Sequence, residues 1–314
     1  MKAGSQRIKY TLPKEGGTFA RMSFKAGYVN IFGLPNAGKS TLLNALLGEK
    51  LVIVSHKVQT TRHRILGILN SDNYQIIFSD TPGIIDPKYK LHQKMMGHVK
   101  SALEDADVAL LLQDINLPVE SAKEVFGSLR LKVPALLVRN KADLTKSPED
   151  LKEKETAYEA AFPKLEQITI SAKENLHVPE LMERILSLLP EGMAFYPEDH
   201  ISDRPVKFFV AEFIREQIFQ NLGEEIPYHT AVLVRSYEEK TSLHVIKADI
   251  IVSRETQKMI ILGKGGSMIK KIGMAARERI EEFVGEKVHL ELFVKVRPKW
   301  RDNENYLREY GYNG

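Results

Sequence analysis

Residues 33–40 read Gly33-Leu34-Pro35-Asn36-Ala37-Gly38-Lys39-Ser40. Few short segments constrain a fold as tightly as two glycines set this way before a lysine and a hydroxyl. The glycines let the backbone close so that its N–H groups turn inward. A loop of this kind cradles phosphate when a strand delivers the chain to it and a helix leads away, because the helix N-terminus adds a positive dipole end. Both flanks are present in the pattern: 26–32 (AGYVNIF) is an apolar strand, and 40–47 carries a helical spacing. In that setting Lys39 places a point charge on the outer phosphates, the Ser40 hydroxyl suits Mg²⁺, and Thr41 follows on the first helical turn. Taken alone, the same residues could be an ordinary Gly-rich turn.

The chain then alternates apolar runs at 74–79, 108–112, 135–139 and 167–171 with helical stretches at 90–103, 122–129, 148–162 and 178–189. Near-continuous apolar strands suit a parallel sheet covered on both faces, and the alternation predicts an α/β fold with a doubly wound, mostly parallel sheet. Ligands of such sheets gather at the carboxyl ends of the strands. Three polar segments fall there. Asp80-Thr81-Pro82-Gly83, followed by Ile84, offers a carboxylate for Mg²⁺ and the Gly83 amide for a terminal phosphate. Asn140-Lys141-Ala142-Asp143 offers a carboxylate that pairs with the N1–H and N2–H edge of guanine. Lys141 lies along the purine, and Asn140 braces the loop. Ser171-Ala172-Lys173 supports the base with a backbone amide. Adenine lacks the N1 proton and would leave part of the Asp143 pairing unmet, at about 1–3 kcal/mol.

Together these segments resemble the translation-factor-related class of GTPases. The resemblance implies GTP/GDP and magnesium as ligands. It makes Thr61, in Gln59-Thr60-Thr61-Arg62-His63-Arg64, the switch residue that closes on Mg²⁺ and the terminal phosphate. Some GTPases orient water with a Gln just after the Asp-Thr-x-Gly turn; here Ile84 stands there, so unassisted hydrolysis is expected to be slow. The resemblance also suggests that Asn36 helps to hold a potassium ion, which would stabilise charge as an arginine finger does. The other reading of Asn36 is a loop-shaping residue in left-handed geometry. Lys39, Thr61, Gly83 and Asn36 are thus the residues expected to act at the reacting phosphate.

The 314 residues exceed one typical domain. Pro190, Pro197 and Pro205 punctuate a linker, after which the pattern changes. Helices at 206–222, 255–262 and 267–284 and strands at 230–237, 243–252 and 287–296 run in the order α-β-β-α-α-β. Between two helices lies Gly263-Lys264-Gly265-Gly266, the G-x-x-G arrangement that clamps about four single-stranded nucleotides in KH domains. Arg254, Lys258, Lys264, Lys270 and Lys271 surround it, and Ile260, Ile261, Leu262, Ile269 and Ile272 are expected to form an apolar shelf under bases. A second basic run, Lys295, Arg297, Lys299 and Arg301, contains Trp300, read as a core anchor in preference to a base stacker. A formal net charge of only +4 makes any nucleic-acid argument local. The absence of cysteine excludes disulfides, thiolate zinc sites and cysteine nucleophiles, and suits a cytoplasmic compartment. No apolar run approaches the ~18 residues of a membrane-spanning helix.

From residue 25 onward the combined motifs resemble the Era family of bacterial GTPases. The expected division is a leader at 1–24, a GTPase domain at 25–190, a linker at 191–204 and a KH domain of the second topological type at 205–314. The resemblance implies binding to the 3′ end of small-subunit ribosomal RNA, a role in assembling the small ribosomal subunit, and partial peripheral association with the inner membrane. A monomer is expected. The competing readings are another RNA-associated GTPase and a nucleotide-gated RNA-binding adaptor without physiological turnover.

Overall fold

The computed structural model describes residues 23–127 and 129–312; all but the last two residues of the expected leader lie outside them. The chain forms two compact units. Among the described residues, the first gathers those up to Leu51, Thr61–Ile85 and those from His98 to Asp203, and the second gathers Val52–Thr60, Asp86–Gly97 and those from Arg204 onward.

In the first unit, β1 (Lys25–Phe32) leads through the glycine loop into α1 (Lys39–Leu47). There follow β2 (Ile65–Asn70), β3 (Tyr74–Asp80), α2 (Lys90–Glu104, whose first turns belong to the second unit), β4 (Val108–Asp114), α3 (Val119–Gly127), β5 (Ala135–Asn140), α4 (Pro148–Ala161), β6 (Glu166–Thr169) and α5 (Val178–Leu188). The six strands order as β2-β3-β1-β4-β5-β6, and all neighbours are parallel except β2 with β3. The sheet is therefore doubly wound and mostly parallel, as its apolar strands require. Val29, Ile31, Ile76, Phe78, Leu110, Leu112, Leu136 and Val138 are fully buried and form its core. Strand β1 lies between β3 and β4, so the strand order reverses at its carboxyl end. That switch point is where the glycine loop sits.

Strand β2 is an addition to the sequence reading, which found no strand between the switch residues 59–64 and the apolar run at 74–79. The run Ile65-Leu66-Gly67-Ile68 is short and carries a central glycine, so its strand signal is weak. Pairing with β3 supplies the register, and Gly67 lets α1 pack close, since a Cβ there would stand 2.6 Å from Leu47 Cδ1 and push that side chain aside.

In the second unit α6 (Val206–Asn221) precedes the antiparallel pair β7 (Ala231–Lys240) and β8 (Leu243–Val252). Then come α7 (Glu255–Leu262), α8 (Ser267–Val284), β9 (Val288–Val296), parallel to β8, and α9 (Glu304–Glu309). Phe209, Phe213, Ile214 and Ile218 of α6 pack into a core with Ile250, Ile261, Ile272 and Ile280. Trp300 is fully buried, and its indole N–H donates to the His229 carbonyl at 3.0 Å, so it is a core anchor.

Two segments of this unit come from early in the chain. Lys57 donates to the carbonyls of Phe219 and Leu222 at the end of α6. At the start of α2, Tyr89 lies under the Arg301 guanidinium at 4.3 Å, and Lys90 and Lys94 reach Glu304 at 3.6 and 3.7 Å.

Candidate nucleotide site and nucleic-acid interface

The glycine loop is shaped by neighbours that leave no room for side chains. A Cβ at Gly33 would run into the Leu112 carbonyl, and one at Gly83 would lie 2.8 Å from Pro35 Cα. Gly38 stands at φ 98 immediately before α1, a conformation that glycine adopts without strain, and Asn36 holds φ 62. Lys39 is 5% exposed and bends back, its ammonium donating to the carbonyls of Gly33 at 3.1 Å and Leu34 at 2.8 Å. Burial pushes its pKa down to about 8, against the pull of Asp80. A buried cation this poorly compensated is suited to an anionic ligand.

Three oxygens converge beside it. Ser40 Oγ donates to Asp80 Oδ2 at 2.7 Å, Thr61 Oγ1 donates to the same oxygen at 2.9 Å, and the two hydroxyls are 2.9 Å apart. The second carboxylate oxygen, Asp80 Oδ1, is buried with no hydrogen-bond partner among the described residues. Burial raises the Asp80 pKa, opposed by the Ser40 hydroxyl, the Lys39 ammonium and the Thr61 hydroxyl. Two hydroxyls and a carboxylate with an orphaned oxygen form a hard-oxygen donor set that fits Mg²⁺. Thr81 is buried and donates to the Ile31 carbonyl at 2.7 Å, which fixes the turn from Thr81 to Gly83 against β1. The Ile84 amide donates to the Gly33 carbonyl at 3.2 Å, and its side chain offers nothing polar.

Asn140, at the end of β5, is 2% exposed and joins two loops. Its Nδ2 donates to the Ala37 carbonyl at 2.9 Å, and its Oδ1 accepts the Ala172 amide at 2.9 Å. Lys141, at φ 66, turns the chain so that Asp143 is exposed, and Ser171 Oγ donates to the Asp143 carboxylate at 2.6 Å. Ala172 is buried and Lys173 is exposed beside it. The phosphate loop and the base-reading segment are thus a single hydrogen-bonded assembly. The sequence reading missed two of its members. Asp114 pairs with the Lys141 ammonium at 2.9 Å, and Asn116 Nδ2 donates to the Lys141 carbonyl at 3.2 Å. Their signal was an acid and an amide just past the expected end of the strand at 112.

In the second unit the loop from Gly263 to Gly266 follows α7. Gln257, 3% exposed, starts that helix by accepting the amides of Ser253 at 2.9 Å and Arg254 at 3.1 Å. Gly263, Gly265 and Gly266 have φ of 72, 60 and 79. Arg254, Lys264, Lys270 and Lys271 lie on or beside the loop with their side chains at the surface, and Lys258 is half-buried, 4.0 Å from Glu255. The expected apolar shelf is not formed as read: Ile261 and Ile272 are fully buried in the core, while Ile260 is 49% exposed. Helical spacing puts 261 and 272 on the inward face. The second basic run is also partly committed, since Lys295 pairs with Asp249 at 2.7 Å and Arg301 covers Tyr89. An open groove of about 400 Å³ lies instead between α8 and β9, lined in part by Lys270, Met274, Arg277, His289, Leu290 and Leu292. Strand β9 is the edge of its sheet. The alternation of β9 hinted at this groove, but only the fold sets α8 beside it.

These two sites define a P-loop GTPase unit joined to a KH unit. The family model described as "50S ribosome-binding GTPase" matches residues 28–141, and the one described as "KH domain" matches 225–301. The chain is 44% identical to GTPase Era of Geotalea daltonii (strain DSM 22248 / JCM 15807 / FRC-32), covering 92% of this chain and 98% of that protein. It is also 44% identical to a chloroplastic GTPase ERA-like protein of Oryza sativa subsp. japonica, over 96% of this chain and 72% of that one. The crystal structure of Era in complex with MgGDPNP and nucleotides 1506–1542 of 16S ribosomal RNA superposes with a TM-score of 0.89 at 40% identity, covering 93% of this chain and all of that one. The crystal structure of a point variant of Aquifex aeolicus Era bound to GDP·AlF4⁻ gives the same values. The chain belongs to the Era family of GTPases.

Proposed function

We propose that this GTPase is a nucleotide-controlled RNA-binding switch that acts on the 3′ end of small-subunit ribosomal RNA during assembly of the small ribosomal subunit. The observation that carries the reading is the pairing, on one chain, of a guanine-nucleotide site with a glycine clamp and an adjoining groove. A relative of the same architecture has been solved with MgGDPNP and a segment of 16S ribosomal RNA.

In the first unit, Asp143 reads the guanine edge, Lys141 lies along the base, and Asn140 ties the base loop to the phosphate loop. The amides from Leu34 to Thr41 cradle the phosphates, with Lys39 swinging from the loop carbonyls to the outer ones. Ser40, Thr61 and Asp80 would hold Mg²⁺, which would neutralise the negative charge of the phosphates. The Gly83 amide faces the terminal phosphate. Ile84 orients no water, so turnover is slow on its own. Asn36 contributes to a potassium site beside the phosphates; equal GTP turnover in K⁺ and Na⁺ at matched ionic strength would remove that role. In the second unit, the clamp from Gly263 to Gly266 and Lys264 take the RNA backbone. Arg254, Lys258, Lys270 and Lys271 supply charge, and the groove beside β9 takes bases against Met274 and Leu292.

The test is crosslinking of the full chain to RNA with a non-hydrolysable GTP analogue present. Recovery of the 3′ end of small-subunit RNA is expected; recovery of transfer RNA or of no RNA would overturn the reading. The protein acts as a monomer, which light scattering checks. Among the described residues no helix is long and apolar enough to cross a membrane. Peripheral contact with an inner membrane is proposed on the resemblance alone, and co-sedimentation with anionic vesicles tests it.

A further inference from the structure

Helix α6 grips the segment Val52–Thr60 at three points. At its C-terminal end the Lys57 ammonium meets the carbonyls of Phe219 and Leu222, where the negative dipole end favours a cation. One turn earlier, Glu216 Oε1 accepts the Val54 amide at 3.1 Å. Next to it Arg215, 1% exposed, donates from Nη2 to the Thr60 carbonyl. The Arg215 guanidinium is itself fixed. Glu212 receives Nε at 2.8 Å and Nη2 at 2.5 Å, and the Phe219 ring lies 5.2 Å from its carbon centre.

A buried ion pair is an expensive way to gain stability, since apolar residues of similar volume commonly do as well. What the pair supplies here is direction: a rigid fork aimed at one main-chain oxygen. That oxygen belongs to the residue before Thr61. The intervening peptide is planar and stiff, so fixing the Thr60 carbonyl fixes the plane from which Thr61 departs. Thr61 in turn brings its hydroxyl within 2.9 Å of both Ser40 Oγ and Asp80 Oδ2.

We propose that Arg215, held by Glu212, is a positioning residue for Thr61, and that α6 thereby sets how tightly the triphosphate state is held relative to the diphosphate state. The inference rests on the reading of Thr61 as a residue that closes on Mg²⁺ and the terminal phosphate. GDP lacks that phosphate, so its binding does not draw on Thr61. The arrangement in place already gathers the three oxygens. Loosening α6 from the loop therefore weakens triphosphate binding selectively.

The experiment measures the affinities of the full chain for fluorescent GDP and for a non-hydrolysable GTP analogue, both with Mg²⁺. The variants are Thr61→Ala, Lys57→Ala, and Arg215→Met combined with Glu212→Leu, which removes the buried pair together and strands no carboxylate. The paired substitution is expected to lower the analogue-to-GDP affinity ratio about tenfold and Lys57→Ala about threefold, with GDP affinity held within about twofold. Amide exchange around Thr61 in the analogue complex should rise in both. If Thr61→Ala lowers the ratio but neither α6-side variant does, the positioning role is wrong and the Thr61 reading stands. If Thr61→Ala leaves the ratio unchanged, the Thr61 reading fails and the inference with it. An equal fall for both nucleotides also overturns it, because that reports general damage. Should the paired variant not fold, Lys57→Ala decides alone.

Discussion

Asn140 makes two hydrogen bonds that cross between segments more than thirty residues away in either direction, to Ala37 and Ala172. Asn140→Ala leaves a buried carbonyl and a buried amide unpaired. It is expected to cost about 1–3 kcal/mol per stranded group, read as a lower unfolding midpoint without nucleotide and weaker binding of both GDP and GTP. Asp143→Asn leaves the fold in place and replaces an acceptor with a donor. Its affinity for GTP should fall about 10–100-fold, the range for losing a charge-assisted pair. A base that carries a carbonyl where guanine has its amino group should then bind better than guanine; competition with xanthosine triphosphate measures it. Lys39 gives a pH signature. In the nucleotide-free protein its folded pKa lies near 8, below the unfolded value near 10.5. The unfolded chain binds the extra proton between those values, so stability from this group rises with pH across about 8 to 10.5, and the cost is fully present below 8. Lys39→Met should flatten that rise and stabilise the empty protein at pH 7 by up to roughly 3 kcal/mol. Chemical denaturation across pH checks both signs.

At the scale of elements, the loop from Gly263 to Gly266 depends on backbone freedom. Gly265 has open space around its missing Cβ but stands at φ 60, so Gly265→Asp meets no neighbour, strains the loop backbone and adds negative charge where phosphate is proposed to pass. Single-stranded RNA affinity should fall at least about tenfold, as for loss of a phosphate contact, with GTP turnover in the absence of RNA unchanged. Much of the element order was readable beforehand. The runs at 255–262 and 267–284 match α7 and α8 to the residue, and the apolar runs at 74–79 and 135–139 each fall one residue short of β3 and β5. These elements carry their own signals in periodicity and flanking glycines. Strand β2, with its central Gly67, and helix α9, with six residues, do not; both depend on partners distant in sequence. The same division holds in the sites. Contiguous motifs announce themselves, because phosphate and base contacts need neighbouring backbone groups. The Asp114–Lys141 pair, the inward turn of Ile261 and Ile272, and the groove beside β9 come from tertiary placement, which no local spacing encodes.

For the whole molecule, coupling between nucleotide and RNA must be reciprocal. Whatever factor the GTP analogue adds to RNA affinity, RNA must add to affinity for the analogue. Titrations in both orders should give the same factor; equal RNA affinity with GDP and with the analogue would mean no coupling at all. The chain passes between its two units five times, since six segments alternate between them. That interleaving has a consequence for how the protein is made. Synthesis releases the chain from its N-terminus at about 5–20 residues per second. The segments Val52–Thr60 and Asp86–Gly97 therefore emerge well before α6, and before the Arg301 and Glu304 that meet Tyr89, Lys90 and Lys94. Until those later elements are out, Val52–Thr60 and Asp86–Gly97 lack these partners. A nascent chain carrying the phosphate loop, the Asp80 turn and the base reader already holds most of its nucleotide-binding residues, yet the stretch before Thr61 lacks its partners until α6 is out, and Asp86–Gly97 lacks its own until Arg301 and Glu304 follow.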